Sequence, residues 1–321
     1  MPKVRMRGWK TILVVVANPF ARKQWAADKA AAIAKRCGAR VVLFNAFMVP
    51  QPVNDVPMGS REQIIASAIR QREQRLQDIA ARVGLPRGTR HIVRWDYPIY
   101  EAIVRQVRKT NPDLLIADSH REGKLARLVL ANTDWQLMRE CPCPLWFVRS
   151  DQLPRQLRVL VAIDPRHTHA KPAKLDDRLL QAACAIEQQL GARISLVHAY
   201  ETPPSAVPGM MMEPIRLPLA PERAREFIAT TTAAVEKLAG KYAVDAADCA
   251  IEEGAARNII PAVVRRRKAD VLVMGAVSRS LLARPIIGST AERVIDDVDC
   301  DVFIVKPAGF KSQVKRTAVK I

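Results

Sequence analysis

Gly38-Ala-Arg-Val-Val-Leu-Phe-Asn-Ala46 is written again 153 residues later as Gly191-Ala-Arg-Ile-Ser-Leu-Val-His-Ala199. Each is an apolar run of strand length. Upstream, Thr11-Ile-Leu-Val-Val-Val-Ala17 and Leu157-Arg-Val-Leu-Val-Ala-Ile163 form a second such pair, 146 residues apart, ending in Asn18-Pro19 and Asp164-Pro165. Downstream, Asp113-Leu-Leu-Ile through Arg149 aligns without a gap on Asp270-Val-Leu-Val through Lys306, at a displacement of 157. The chain is therefore one unit written twice. The drift from 146 to 157 gives the second copy about 11 extra loop residues, seven of them around His167 to Lys174.

Within each copy the pattern reads strand, helix, strand, long helix, strand, helix, strand, helix, strand. In the second copy it predicts strands near 157–163, 193–199, 248–252, 270–274 and 301–305, and helices near 176–190, 221–239, 257–267 and 290–298. Apolar runs this continuous, separated by helices, belong to parallel sheets covered on both faces. The expected fold is two tandem open α/β sandwiches, each a five-stranded parallel sheet with helices on both faces. The first unit spans 1–150 and the second 157–310, with a basic tail at 311–321. Asp151-Gln-Leu-Pro-Arg-Gln156 is a linker with little slack, so the two units should pack together.

Hydrophobic residues make up 49% of the 321 and charged residues 26%, which excludes a disordered chain. The longest apolar run near the N-terminus, Ile12 to Ala17, is far short of the roughly 20 residues that span a bilayer, and no signal-peptide pattern precedes it. A cytoplasmic protein without a membrane span is expected. Lys plus Arg total 51 against 32 for Asp plus Glu, a net charge of +19 that attracts polyanions. No nucleic-acid motif or stacking aromatics accompany it, so the charge reads as solvated helix faces and specific nucleic-acid binding is not expected. Six cysteines without CxxC spacing read as reduced, mostly buried thiols; Arg139 is the one neighbouring charge in sequence that would lower a thiol pKa in Cys141-Pro-Cys143.

In an open parallel sheet, ligands bind beyond the carboxyl ends of the strands where strand order reverses. Three loops of the second copy reach that place. The first holds Asp164, where the first copy has Asn18; its carboxylate accepts from a base amino group or ribose hydroxyl, or else makes an Asx turn before Pro165. His198 ends the second strand beside it, either lining the cleft or satisfied in the strand. The second loop is Gly275-Ala-Val-Ser278-Arg279. The third, Gly288-Ser289-Thr290-Ala291-Glu292, opens the last helix. Gly288 permits close approach of a phosphate, and Ser289 and Thr290 add hydroxyls to the N–H groups of a helix start. The same residues also spell a capping box, Ser289 to Glu292.

Gly275, two residues, Ser278, nine residues, then Gly288-Ser289-Thr290 resembles the phosphate motif of the nucleotide-binding members of the universal stress protein superfamily, with Ser278 in place of the second glycine. Asp164 stands where those members place an aspartate on adenine. The resemblance covers nearly the whole chain as two copies. It implies a tandem stress-response regulator, connected with survival of DNA damage, that binds ATP with Mg²⁺ in the second copy and turns over little or nothing. The implied cofactor-binding set is Asp164, Val197, His198, Met274, Gly275, Ser278, Arg279, Gly288, Ser289 and Thr290, with no catalytic residue and no protein-held metal. In the first copy the motif reads Asp118, Arg121 and Ala131-Asn132-Thr133; a carboxylate at Asp118 repels phosphate, which makes that copy a scaffold without a nucleotide.

Alternatives from the residues are a slow ATPase, and a module for polyanions or lipid-like ligands that uses the basic surface and the Met210-Met211-Met212 loop. Homodimers are a further expected partner. His167 and His169 read as a solvated loop, and Trp95, Tyr97, Trp135 and Trp146 as core or inter-unit packing.

Overall fold

The structure is a computed structural model and describes residues 8–48, 58–119, 131–166, 174–203, 205–207, 215–217, 219–276 and 289–317. The first copy runs β1 (Thr11–Val15), α1 (Trp25–Cys37), β2 (Arg40–Phe47), α2 (Met58–Arg82), β3 (Arg90–Trp95), α3 (Ile99–Thr110), β4 (Leu114–Asp118), α4 (Ala131–Glu140) and β5 (Leu145–Val148). The second repeats it as β6 (Leu157–Ala162), α5 (Leu175–Leu190), β7 (Ala192–Tyr200), α6 (Pro221–Lys241), β10 (Cys249–Glu253), α7 (Ala256–Arg267), β11 (Val271–Gly275), α8 (Ser289–Asp297) and β12 (Asp301–Val305). It adds a hairpin of β8 (Ser205–Val207) and β9 (Ile215–Leu217), where the sequence predicts only a Pro-rich loop. Met210, Met211 and Met212 lie outside the described residues, as do His167 and His169.

Both copies are parallel five-stranded sheets, as the apolar runs predict. They are also halves of one ten-stranded sheet of order β10-β7-β6-β11-β12-β5-β4-β1-β2-β3. The two last strands, β5 and β12, pair antiparallel in the middle. Trp146 sits opposite Phe303, which is its own counterpart at a displacement of 157, so the junction has a local two-fold relation between the copies. Left alone, each of these fully buried strands would be a sheet edge open to other chains; pairing them removes both edges.

Side chains alternate faces along each strand, which splits the core in two. Ile12, Val14, Trp146, Val159, Phe303 and Val305 point to one face; Leu13, Val15, Phe147, Leu160, Val302 and Ile304 point to the other. Each core continues through both copies, so the halves share their hydrophobic interior. Trp9, Trp146 and Phe303 meet at the junction with ring centroids 5.5 to 6.4 Å apart. Beside them the buried Asp301 carboxylate takes Trp146 Nε1–H at 2.8 Å, Arg149 N–H at 2.9 Å and the Lys29 ammonium from α1.

The copies also exchange helix caps. Arg149 donates to the carbonyls of Ile295 and Val298 at the end of α8, and Lys306, its counterpart, donates to those of Met138 and Arg139 at the end of α4. Cations at helix C-termini oppose the negative end of the macrodipole. After β12 the chain returns to the first copy: Glu140 accepts from Ser312 and Gln313, and Arg108 donates to the carbonyls of Ser312 and Val314.

Candidate functional site

Strand order reverses between β1 and β4 in the first copy and between β6 and β11 in the second. In the second copy, β6 delivers Asp164, whose backbone N–H donates to Asp176 Oδ1 at 3.1 Å. Val197 lies in register with Ala162. The next residue, His198, is 1% exposed, with Nδ1 3.0 Å from the carbonyl of Ile163. Asn45, its counterpart in the first copy, donates to the carbonyl of Val16 at 2.7 Å. Both side chains pin the turn after the first strand, and the repeat alignment that sets Asn45 opposite His198 already carries that signal.

Met274 is buried and Gly275 closes β11. A Cβ on Gly275 would stand 2.7 Å from Leu175 Cδ2, so any side chain there obliges the buried Leu175 of α5 to shift, whatever binds at the strand end. Ser289 and Thr290 are the first residues of α8. The fold thus gathers Asp164, Val197, His198, Met274 and Gly275 toward the carboxyl ends of adjacent strands, and α8 is the next described element after β11. Ser278, Arg279 and Gly288 lie outside the described residues.

The first copy fills the same positions differently. Asn18 Oδ1 accepts from Phe20 N–H at 3.0 Å, an Asx turn, and its carbonyl holds Gln24 Nε2. Asp118, at the place of Gly275, accepts from Ala26 N–H in the first turn of α1 at 2.7 Å. Above these residues lies a cavity of about 660 Å³, bounded by β1, β4, α3, α4 and the end of α8. Its wall is mostly apolar, with Trp25, Phe47, Ile103, Trp135, Met138 and Phe147. Asp118, Asp134, Lys23, Arg149 and Asp296 supply its charges. Burial pushes the Asp134 carboxyl up to about 7, with the Arg149 guanidinium pulling it down and Asp118 adding to the rise. Sequence reasoning missed this cavity, because its walls come from strand ends, three helices of the first copy and the other copy's α8.

The remaining expectations sort as follows. All six cysteines are free, but only Cys141 and Cys184 are fully buried. Cys141 and Cys143 have their Sγ atoms 3.6 Å apart. The Cys143 contact and the Lys306 ammonium hold the Cys141 thiol below its usual value, so the effective cation is Lys306 of the second copy and not Arg139. Trp146 is junction core and Trp135 lines the cavity, whereas Tyr97 is 48% exposed and packs in neither core nor junction. Among the described residues no group of three or more His, Cys, Asp or Glu is arranged to hold a metal, and no helix is long and apolar enough to cross a membrane.

The universal stress protein family model matches residues 8–149 and 157–306, the two copies read from the repeat. Universal stress protein E of Photorhabdus laumondii is 28% identical over 332 aligned positions, covering 97% of this chain and 99% of that protein. Its namesake in Escherichia coli K12 is 27% identical over 226 positions, 70% of each chain. Among solved structures, a Pseudomonas aeruginosa PAO1 protein of unknown function has the same fold, with a TM-score of 0.64, 21% identity and 93% of each chain covered. A universal stress protein from Archaeoglobus fulgidus matches at a TM-score of 0.58 and 16% identity, over 94% of this chain and 97% of that one. With one model satisfied twice along a chain whose two halves share one sheet, this protein belongs to the universal stress protein family as a tandem member.

Proposed function

We propose that this tandem universal stress protein is a cytoplasmic stress-response regulator that acts by holding a ligand, with adenine nucleotide taken by the second copy and with little or no turnover. The observation that carries the reading is the contrast at one strand end. The second copy has Gly275 there, and Ser289-Thr290 open the next helix along the chain; the first copy has the Asp118 carboxylate. Orphan N–H groups at a helix start favour phosphate, and a carboxylate at the same level repels it.

In this reading Asp164 accepts from the adenine amino group or a ribose hydroxyl, Val197 and His198 shape the floor of the turn, and Met274, Gly275, Ser278 and Arg279 pass beneath the ribose. Gly288, Ser289 and Thr290 hold the phosphates. Mg²⁺ arriving with ATP supplies charge neutralisation on the phosphate oxygens; the chain's own part is to bind, orient and exclude. Service in survival of DNA damage and assembly as a homodimer belong to the same proposal.

Native mass spectrometry on gently purified protein, together with thermal denaturation in millimolar ATP and Mg²⁺, tests it. Expected are retained nucleotide and a shift that grows with the logarithm of ATP concentration, about 2.7 kcal/mol at 100 times Kd, abolished by Gly288→Asp with the apo transition unchanged. Retention without phosphate release separates binding from slow hydrolysis. No retained nucleotide and no shift would overturn the reading.

A further inference from the structure

The cavity of the first copy plays no part in nucleotide binding by the second, and its chemistry is opposite in sign. Asp118 and Asp134 reach it where the second copy carries Gly275 and Ala291. Asp118 is engaged by Ala26 N–H. Asp134, set in the wall, is desolvated there and feels the Arg149 guanidinium and the Asp118 carboxylate. The nearby cations are shared: the Arg149 guanidinium, which draws on the Asp134 carboxyl, also donates to the carbonyls of Ile295 and Val298, and the Lys23 ammonium lies over the Trp25 ring at 5.4 Å from its centre. A largely desolvated carboxyl whose one cationic neighbour, Arg149, is shared with two carbonyls is incompletely compensated, and a donor that brings positive charge stabilises its ionised form.

The rest of the wall specifies the body of such a ligand. Trp25, Phe47, Trp135, Met138 and Phe147 offer aromatic and thioether surface, and about 660 Å³ lies within the range of small-molecule pockets. We propose that the first copy binds a small organic amine, with its ammonium between Asp134 and Asp118 and its apolar body against the Trp25 and Trp135 side of the cavity. Anionic ligands, nucleotides included, are rejected there by the two carboxyls. Because Ile295 and Asp296 of α8 also border the cavity, the occupant touches both copies.

Binding is linked to protons. The charged groups facing Asp134 are Asp118 on β4, Arg149 beyond β5, Lys23 ahead of α1 and Asp296 on α8. With the Asp134 carboxyl pushed up to about 7, its ionised fraction rises from about one tenth at pH 6 to about nine tenths at pH 8, and amine affinity rises up to about ninefold over that interval.

Isothermal titration calorimetry of the full chain with phenethylammonium, and with 3-phenylpropionate as the anion of matched size, tests this. Expected are saturable phenethylammonium binding that strengthens from pH 6 to pH 8, and no 3-phenylpropionate binding. Asp134→Asn should weaken the amine at least tenfold and flatten the pH profile, whereas Gly288→Asp should leave it unchanged, which separates this site from the nucleotide site. No amine binding at millimolar concentration, equal binding of the anion, or an unaltered pH profile in Asp134→Asn would overturn the proposal. The amine and anion comparison on the unmodified chain stands even if that variant fails to fold.

Discussion

Replacing Asp301 by Asn probes the junction between the copies at its most exacting point. The carboxylate is 2% exposed and serves three donors at once: the Lys29 ammonium, Trp146 Nε1–H and Arg149 N–H. The amide keeps the shape and one acceptor oxygen, so the two neutral donors compete for it and Lys29, itself buried, loses its counter-charge. Breaking a buried pair by removing one partner costs about 3–5 kcal/mol, chiefly because the surviving charge stays out of water. At roughly 2 °C per kcal/mol for a chain of this size, the unfolding midpoint should fall by about 6–10 °C. Adding Lys29→Met removes the stranded ammonium and should restore more than half of the loss. Urea and thermal denaturation of wild type, both single variants and the double variant complete the cycle. A loss below about 1 kcal/mol for Asp301→Asn, or strictly additive single effects, would refute the reasoning, since residues in direct contact couple.

Three further outcomes follow from single sites. Burial holds the Lys306 ammonium down to about 8, so the unfolded chain binds more protons between about pH 8 and 10.5 and wild type gains stability as pH rises through that window. From pH 7 to 9.5 the gain relative to Lys306→Met should reach about 2 kcal/mol in urea titrations, and parallel pH profiles would contradict it. The opposite sign holds for Asp134, raised to about 7: the folded chain binds the extra proton, so wild type loses stability between about pH 4 and 7. Asp134→Asn should then be more stable than wild type at pH 8, by at most about 4 kcal/mol, and nearly equal to it at pH 4. Gly275→Ala drives a Cβ toward Leu175 Cδ2 and should cost about 1–3 kcal/mol, much of it recovered on the Leu175→Ala background; equal losses on both backgrounds would show that packing is not the cause.

The repeat made the fold readable. Apolar runs such as Leu157–Ile163 announce strands buried on both faces, and their recurrence at 146, 153 and 157 residues supplies element order and strand boundaries to within about two residues. Joining of the two sheets was not readable, because nothing local to Trp146 or Phe303 says that equivalent strands will pair antiparallel. The nucleotide site proposed for the second copy rests on glycine and hydroxyl spacing and on Asp164, since phosphate binding depends on local backbone freedom. The cavity was not legible: Asp134 reads as an ordinary first-turn carboxylate of α4, and its high pKa arises from burial in a wall that α4, β4 and β5 assemble together and from the neighbouring Asp118.

The Lys29–Asp301 pair occurs once. At the displacements of the repeat, Lys29 answers to Ala182 and Asp301 to Pro144, so the mirror position across the junction holds neither charge. Two first copies mated through β5 would bury a pair of lysines against prolines, and two second copies mated through β12 would bury a pair of aspartates with no cation in reach. The seam is thus a lock and key between unlike halves. Either half expressed alone should reject its twin and accept only its neighbour.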